Sequence, residues 1–283
     1  MTDLSVYFSD NYTASKYAFD TTRKSGHVAE AIKHEATLVA PDTPFDPTRV
    51  HFTQYVNAVQ TGTPRYLAES QGFDWDEGLA IMAQAHLDGL VSATNRVIKG
   101  TDKRSGSLSS GLHHASFTGG AGFCTYNGLA AAATAAIDAG CENVLCLDFD
   151  AHCGGGTFDI MGDNPAFTQI DVSVSMYDTY APGLRHTLIA SRPDRYIHDI
   201  VRALDIMRAT PWDFIIYNAG VDPINCSVSA QDIALREMLV SQFIGDTPAV
   251  FALAGGYTWG NVTMDELVEL HASTVLEWVD AVA

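Results

Sequence analysis

Basic residues are scarce: Lys and Arg number 16 against 34 Asp and Glu, a formal net charge of −18. Nucleic acid is bound through clustered Lys and Arg, so this balance excludes it as an expected partner. The same acidity would draw in a cationic substrate, and it serves plain solubility equally well. Long apolar runs are missing too. None reaches the roughly 18 residues of a membrane helix, and no membrane partner is expected. The polar start Met1-Thr2-Asp3 does not read as a secretory signal. Cysteine is sparse and odd in number, at Cys124, Cys141, Cys146, Cys153 and Cys226, with no Cys-x-x-Cys pair. That is a poor disulfide framework and fits a reducing, cytoplasmic setting. No Pro/Ser-rich linker or charge block divides the 283 residues, so one domain over residues 1–283 is expected.

Short apolar runs alternate with helical periodicity along most of the chain. That pattern predicts a single-domain α/β fold, a doubly wound and mainly parallel sheet flanked by helices. Leu4–Phe8 reads as the first strand, with helical patterns over His27–Val39, Thr48–Gln60, Trp75–Ile98 and Tyr126–Ala139. Asn143–Phe149, Gln169–Ser175, Asp213–Asn218 and Ala249–Ala254 are nearly continuous apolar runs, as strands buried on both faces require. Helices are expected near Arg195–Ala209 and Asp232–Ile244. A last one opens on the capping-box pattern Thr263-x-x-Glu266.

In such sheets the functional crevice lies beyond the carboxyl ends of the strands. There the sequence places Asp148-Phe149-Asp150-Ala151-His152, then Ala219-Gly220-Val221-Asp222-Pro223, then Gly255-Gly256-Tyr257-Thr258. Asp150, His152 and Asp222 form a three-ligand set suited to a catalytic zinc, with room left for water and substrate. Residues two apart in an extended segment point the same way, so Asp150 and His152 can share an ion. Ferrous iron suits these ligands as well. Alone, either residue would read as an ordinary loop side chain. Cys153 beside them could be a thiolate ligand, but reads better as a small filler. The tandem His113-His114 can supply the general base and acid for amide hydrolysis. Tyr257 can donate to a developing oxyanion.

His113-His114-Ala115, Gly122-Phe123-Cys124, Asp148-x-Asp150-x-His152, Ala219-Gly220-x-Asp222-Pro223 and Gly255-Gly256-Tyr257-Thr258 follow one another in a specific order. In these motifs the chain resembles the histone deacetylase and acetylpolyamine amidohydrolase family, within the arginase–deacetylase fold. The resemblance runs from the amino-terminal strand to about Thr258. It implies Asp150, His152 and Asp222 as zinc ligands and Tyr257 as the oxyanion-stabilising hydroxyl. It implies His113 and His114 as the catalytic pair, His114 being the general base. Asp148 would bond His113 and, with Asp150, His152 and Ser175, hold a structural K+ or Na+. Gly122 and Phe123 would wall the acyl channel, with Tyr177 or Tyr180 opposite. The implied substrate is a small N-acyl amine or an acyl-lysine, and a homodimer is compatible with it.

Three features depart from the family pattern. The usual His-His-Gly-Asp/Asn-Gly is here His152-Cys153-Gly154-Gly155-Gly156. Gly155 therefore lacks the side chain that would orient His114; another residue or a water must replace it, or the pair works differently. The usual Pro-Gly-His-His is Gly111-Leu112-His113-His114, and the segment Met176–Gly183 is short. An arginase-like ureohydrolase shares the fold but needs ligands for two manganese ions, and Gly154 and the single Asp222 do not provide them. A non-catalytic metal-binding descendant is the other alternative, favoured only by Gly155.

Overall fold

Among the residues described by the structure, a computed structural model covering 4–110 and 112–281, eight strands form one all-parallel sheet. Met1-Thr2-Asp3 and Gly111 lie outside the described residues. In chain order the strands are β1 (Ser5–Tyr7), β2 (Thr37–Val39), β3 (Arg104–Ser107), β4 (Val144–Asp148), β5 (Phe167–Ser173), β6 (Thr187–Ala190), β7 (Phe214–Gly220) and β8 (Ala249–Ala254). Their order across the sheet is β2-β1-β3-β8-β7-β4-β5-β6. The helices are α1 (Asp20–Ile32), α2 (Thr53–Thr61), α3 (Arg65–Ala68), α4 (Glu77–Ile98), α5 (Gly128–Asp138), α6 (Gly155–Met161), α7 (Tyr196–Met207), α8 (Ala230–Ile244) and α9 (Met264–Asp280).

Strands β4, β7 and β8 are buried on every residue because both faces are covered. On β4, Leu145 and Leu147 join one core while Val144 and Cys146 join the other. On β7 the division is Ile215, Tyr217 and Ala219 against Phe214 and Ile216. Burying each such aliphatic side chain is worth about 1.5–3 kcal/mol.

Helix ends follow local chemistry. Asn127 caps α5 by accepting the Ala130 N–H at 2.9 Å, and Asp76 caps α4 by accepting that of Leu79 at 2.8 Å. Thr263 and Glu266 complete the expected capping box at α9.

Two expectations are corrected. The helix expected over His27–Val39 ends at Ile32, and Thr37–Val39 is a strand, the outer edge of the sheet beside β1. The second is β3, Arg-Ser-Gly-Ser, a buried central strand with no apolar run to reveal it. Its side chains are satisfied by hydrogen bonds: Ser105 Oγ donates to the Ser5 carbonyl at 2.7 Å, and Arg104 to the Ser241 and Gly245 carbonyls.

Candidate active site

The carboxyl ends of β3, β8, β7 and β4 are neighbours, so the segments that leave them share one crevice. β4 ends on Asp148, in register with Asn218 of β7. Asn218 Nδ2 donates to Asp148 Oδ1 at 2.9 Å, and the other oxygen accepts from His113 Nδ1 at 2.8 Å. Asp148 is fully buried, so this carboxylate is fixed by partners rather than by water.

Above it, one ligand atom from each of Asp150, His152 and Asp222 lies within 4.8 Å of the others. Asp222 Oδ1 accepts the Ala151 N–H at 2.9 Å, which ties the β4 and β7 segments together. Its Oδ2 is buried 3.0 Å from His152 Nδ1, yet takes no aligned hydrogen bond among the described residues. His152 sits between the two acids. Burial favours its neutral ring, but its bond to Asp150 and the two carboxylates beside it outweigh it and raise its pKa to about 11. Such a centre attracts positive charge, as a proton or a metal cation. The oxygen and nitrogen donor set, the orphaned oxygen and the close spacing all fit a divalent metal. Gly255 makes room: at φ +53°, a Cβ there would run into the Asp222 carboxyl group, with Oδ1 at 2.5 Å. Lys24, fully buried behind the site, donates its amine to the Gly255 carbonyl.

The histidine pair is held by its own loop. His86 Nδ1 accepts the Ser110 N–H at 3.1 Å, and His51 Nε2 accepts the Asn127 N–H at 2.9 Å, so two neutral scaffold histidines bracket the segment. Asn127 Nδ2 also donates to the Ala115 carbonyl at 2.8 Å. The rings of His113 and His114 stand 3.9 Å apart. Burial opposes charge on His113, but Asp148 and Asp150 outweigh it and push its pKa up to about 10. On His114, burial and then the charge of His113 push the pKa down to about 4.

His114 Nδ1 donates to Asp178 Oδ2 at 2.8 Å. No local pattern announces Asp178, which lies 64 residues from His114. The only signal in the sequence is the missing side chain at Gly155.

A cavity of about 460 Å³ opens over this floor, with Gly122, Phe123, Tyr177, His114, His152 and Tyr257 in its walls. Trp259, absent from the sequence expectations, stacks on Tyr257 at 4.3 Å and lines the mouth. Burial, then Asp222 and Asp150, push the Tyr257 phenol well above its ordinary pKa, so it stays a proton donor.

Two residues, Tyr180 and Ser175, fall elsewhere than expected, and Cys153 falls where it was expected. Tyr180 lies outside this cavity, stacked on Phe158 at 4.3 Å, because the chain turns away after Asp178. Ser175 lies beyond the end of β5, its Oγ 3.5 Å from the Tyr177 amide nitrogen; the hydroxyl against the His152 carbonyl is that of Ser173, at 3.1 Å. Cys153 is buried against the Ser175 carbonyl, and burial first raises its pKa to about 11, so it is a filler and no thiolate.

The architecture is that of the arginase–deacetylase fold: the solved HDA15 HD domain superposes with TM-score 0.85 over 99% of this chain and 90% of that one, at 20% identity. Residues 17–186 match the histone deacetylase domain, and the chain belongs to the histone deacetylase family. It is similar to the acetylpolyamine amidohydrolase of Mycoplana ramosa, 32% identical over 147 residues, which are 50% of this chain and 39% of that protein. It is similar also to the acetoin utilization protein AcuC of Staphylococcus xylosus, 29% identical over 117 residues, 38% of this chain and 30% of that protein. Both alignments thus span well under two thirds of the relatives' own length.

Proposed function

We propose that the protein is a metal-dependent amidohydrolase that removes the acyl group from a small acylated amine or an acyl-lysine. The observation that carries this reading is the Asp150–His152–Asp222 donor cluster, which lines a small inner pocket with His114 and Tyr257, residues that with His152 also wall the larger cavity. Asp150, His152 and Asp222 would hold zinc or ferrous iron, whose chemistry is to polarise a carbonyl and lower the pKa of water. Ser173, in place of Ser175, joins Asp148, Asp150 and His152 as the candidate group for a structural K+ or Na+.

The protein's own residues divide the remaining work. His114 is neutral and its Nδ1 is engaged, so Nε2 is free to take a proton from the attacking water. It then returns that proton to the amine nitrogen as the C–N bond breaks, giving a carboxylate and a free amine. His113, held charged by Asp148, stabilises negative charge beside it without leaving its place. Tyr257 donates its phenolic hydrogen to the oxygen of the carbonyl as charge builds there. Phe123 and Tyr177 flank the linker of the acyl group and keep bulk water out. The acidic surface and the absence of clustered basic residues favour a cationic amine as the part left outside.

Replacement of Tyr257 tests the division of roles. Tyr257→Phe should retain bound metal and cut kcat for N-acyl amine hydrolysis by roughly 10²–10³-fold, as loss of one oxyanion donor does. Unchanged turnover in that variant would remove Tyr257 from the mechanism.

A further inference from the structure

We infer that Asp178, delivered by the loop between β5 and β6, is the positioning residue of the general base His114, and that Gly155 is a glycine because Asp178, backbone and carboxylate together, occupies its side-chain space. The inference rests on the amidohydrolase reading for the role of His114, and on geometry alone for the pairing.

Four observations converge. Asp178 Oδ2 accepts from His114 Nδ1 at 2.8 Å and from the Gly156 N–H at 3.1 Å, so the carboxylate is clamped between the base and the first turn of α6. A Cβ on Gly155 would stand 2.3 Å from the Asp178 carbonyl oxygen, 2.5 Å from its Oδ1 and 2.7 Å from its Cγ, so the backbone and the carboxylate of Asp178 together fill the side-chain space of position 155. Asp178 adopts φ +59°, a left-handed conformation that a non-glycine residue takes at a cost. The neighbouring Tyr177 packs its ring edge-on to His114 at 4.9 Å, so the loop that orients the base also walls the channel. An oriented Nδ1–H leaves Nε2 as the basic nitrogen, and a ring free to flip would present the wrong one.

Substitution at position 178 tests the pairing directly. Three proteins are compared: wild type, Asp178→Asn and Asp178→Gly. Glycine is the mildest deletion at 178, since its backbone accepts positive φ freely. Turnover is measured on acetylated diamines and an acetyl-lysine peptide, with metal content and circular dichroism as controls. In parallel, the His114 Nδ1–H signal is followed by ¹H–¹⁵N NMR on the purified proteins.

Asp178→Gly should lower kcat roughly 100-fold with KM held within about twofold, the size of effect that supporting hydrogen bonds have on reactive histidines. Asp178→Asn keeps the acceptor and should fall less. The Nδ1–H signal should vanish in Asp178→Gly and persist in Asp178→Asn. An unchanged kcat in Asp178→Gly, or a loss confined to KM, would overturn the inference. If wild type hydrolyses no N-acyl amine, the amidohydrolase reading falls and the spectrum still decides: an Nδ1–H signal that persists in Asp178→Gly refutes the pairing.

Discussion

His113 and His114 are adjacent in the chain and 3.9 Å apart ring to ring, yet they belong to different parts of the molecule. His113 is tied to the sheet: its partner Asp148 is the last residue of a central strand, fully buried and bonded also to Asn218. His114 is tied to the rim: its partner Asp178 comes from a surface loop, and that carboxylate's side chain is 26% exposed. Burial acts on both rings alike. Two buried carboxylates beside His113 reverse it, pushing the pKa up to about 10, whereas His114 stays low at about 4. The difference teaches where each task can reside. His113 is held in the buried floor by a strand-end carboxylate, and His114 at the rim by a carboxylate from a partly exposed loop.

The contrast predicts unequal costs. Asp148→Asn should be the more damaging change, because it breaks a buried pair on one side at a cost of about 3–5 kcal/mol in unfolding free energy. Asp178→Asn should cost about 1 kcal/mol or less, the range of a single hydrogen bond at a partly exposed site. Urea denaturation of both variants measures this. Equal losses would mean that the rim loop is as integral to the fold as the floor.

A smaller effect concerns the scaffold histidines. His51 donates Nδ1–H to the Ser116 carbonyl at 2.8 Å and accepts at Nε2, so its neutral form is locked in. Burial pulls its pKa down to about 4 from the ordinary 6.5. Below pH 6.5 the unfolded chain binds a proton that the folded ring refuses, so stability falls as pH falls, until the folded ring also titrates near 4. Within that window His51 should contribute a slope of about 1.4 kcal/mol per pH unit. His51→Gln should flatten the measured dependence by that amount, and an unaltered slope would show that His51 is not held neutral.

The same contrast governs what could be read from residues alone. β4, β5, β7 and β8 were legible as apolar runs because both faces of the sheet are covered. β3 was not, since Arg104, Ser105 and Ser107 meet their needs through hydrogen bonds that no local pattern encodes. At the site, Asp150, His152, Asp222, His113, His114 and Tyr257 stand at strand ends or on short anchored loops, and it was the order of their motifs along the chain, not any one of them, that put them forward as candidates. Asp178, Trp259 and Ser173 depend on how a loop turns or a strand ends. Tyr180 and Ser175 were misplaced for the same reason: the chain leaves its extended course after β5, and alternation stops being a guide.

The most direct test of the account is metal content by elemental analysis, on the same preparation assayed against a panel of N-acyl amines, before and after chelation. The account predicts one zinc or iron per chain at the Asp150–His152–Asp222 centre, with amide hydrolysis lost on chelation and restored by that metal. Two manganese ions per chain with release of urea, or one bound metal with no turnover of any amide, would contradict it.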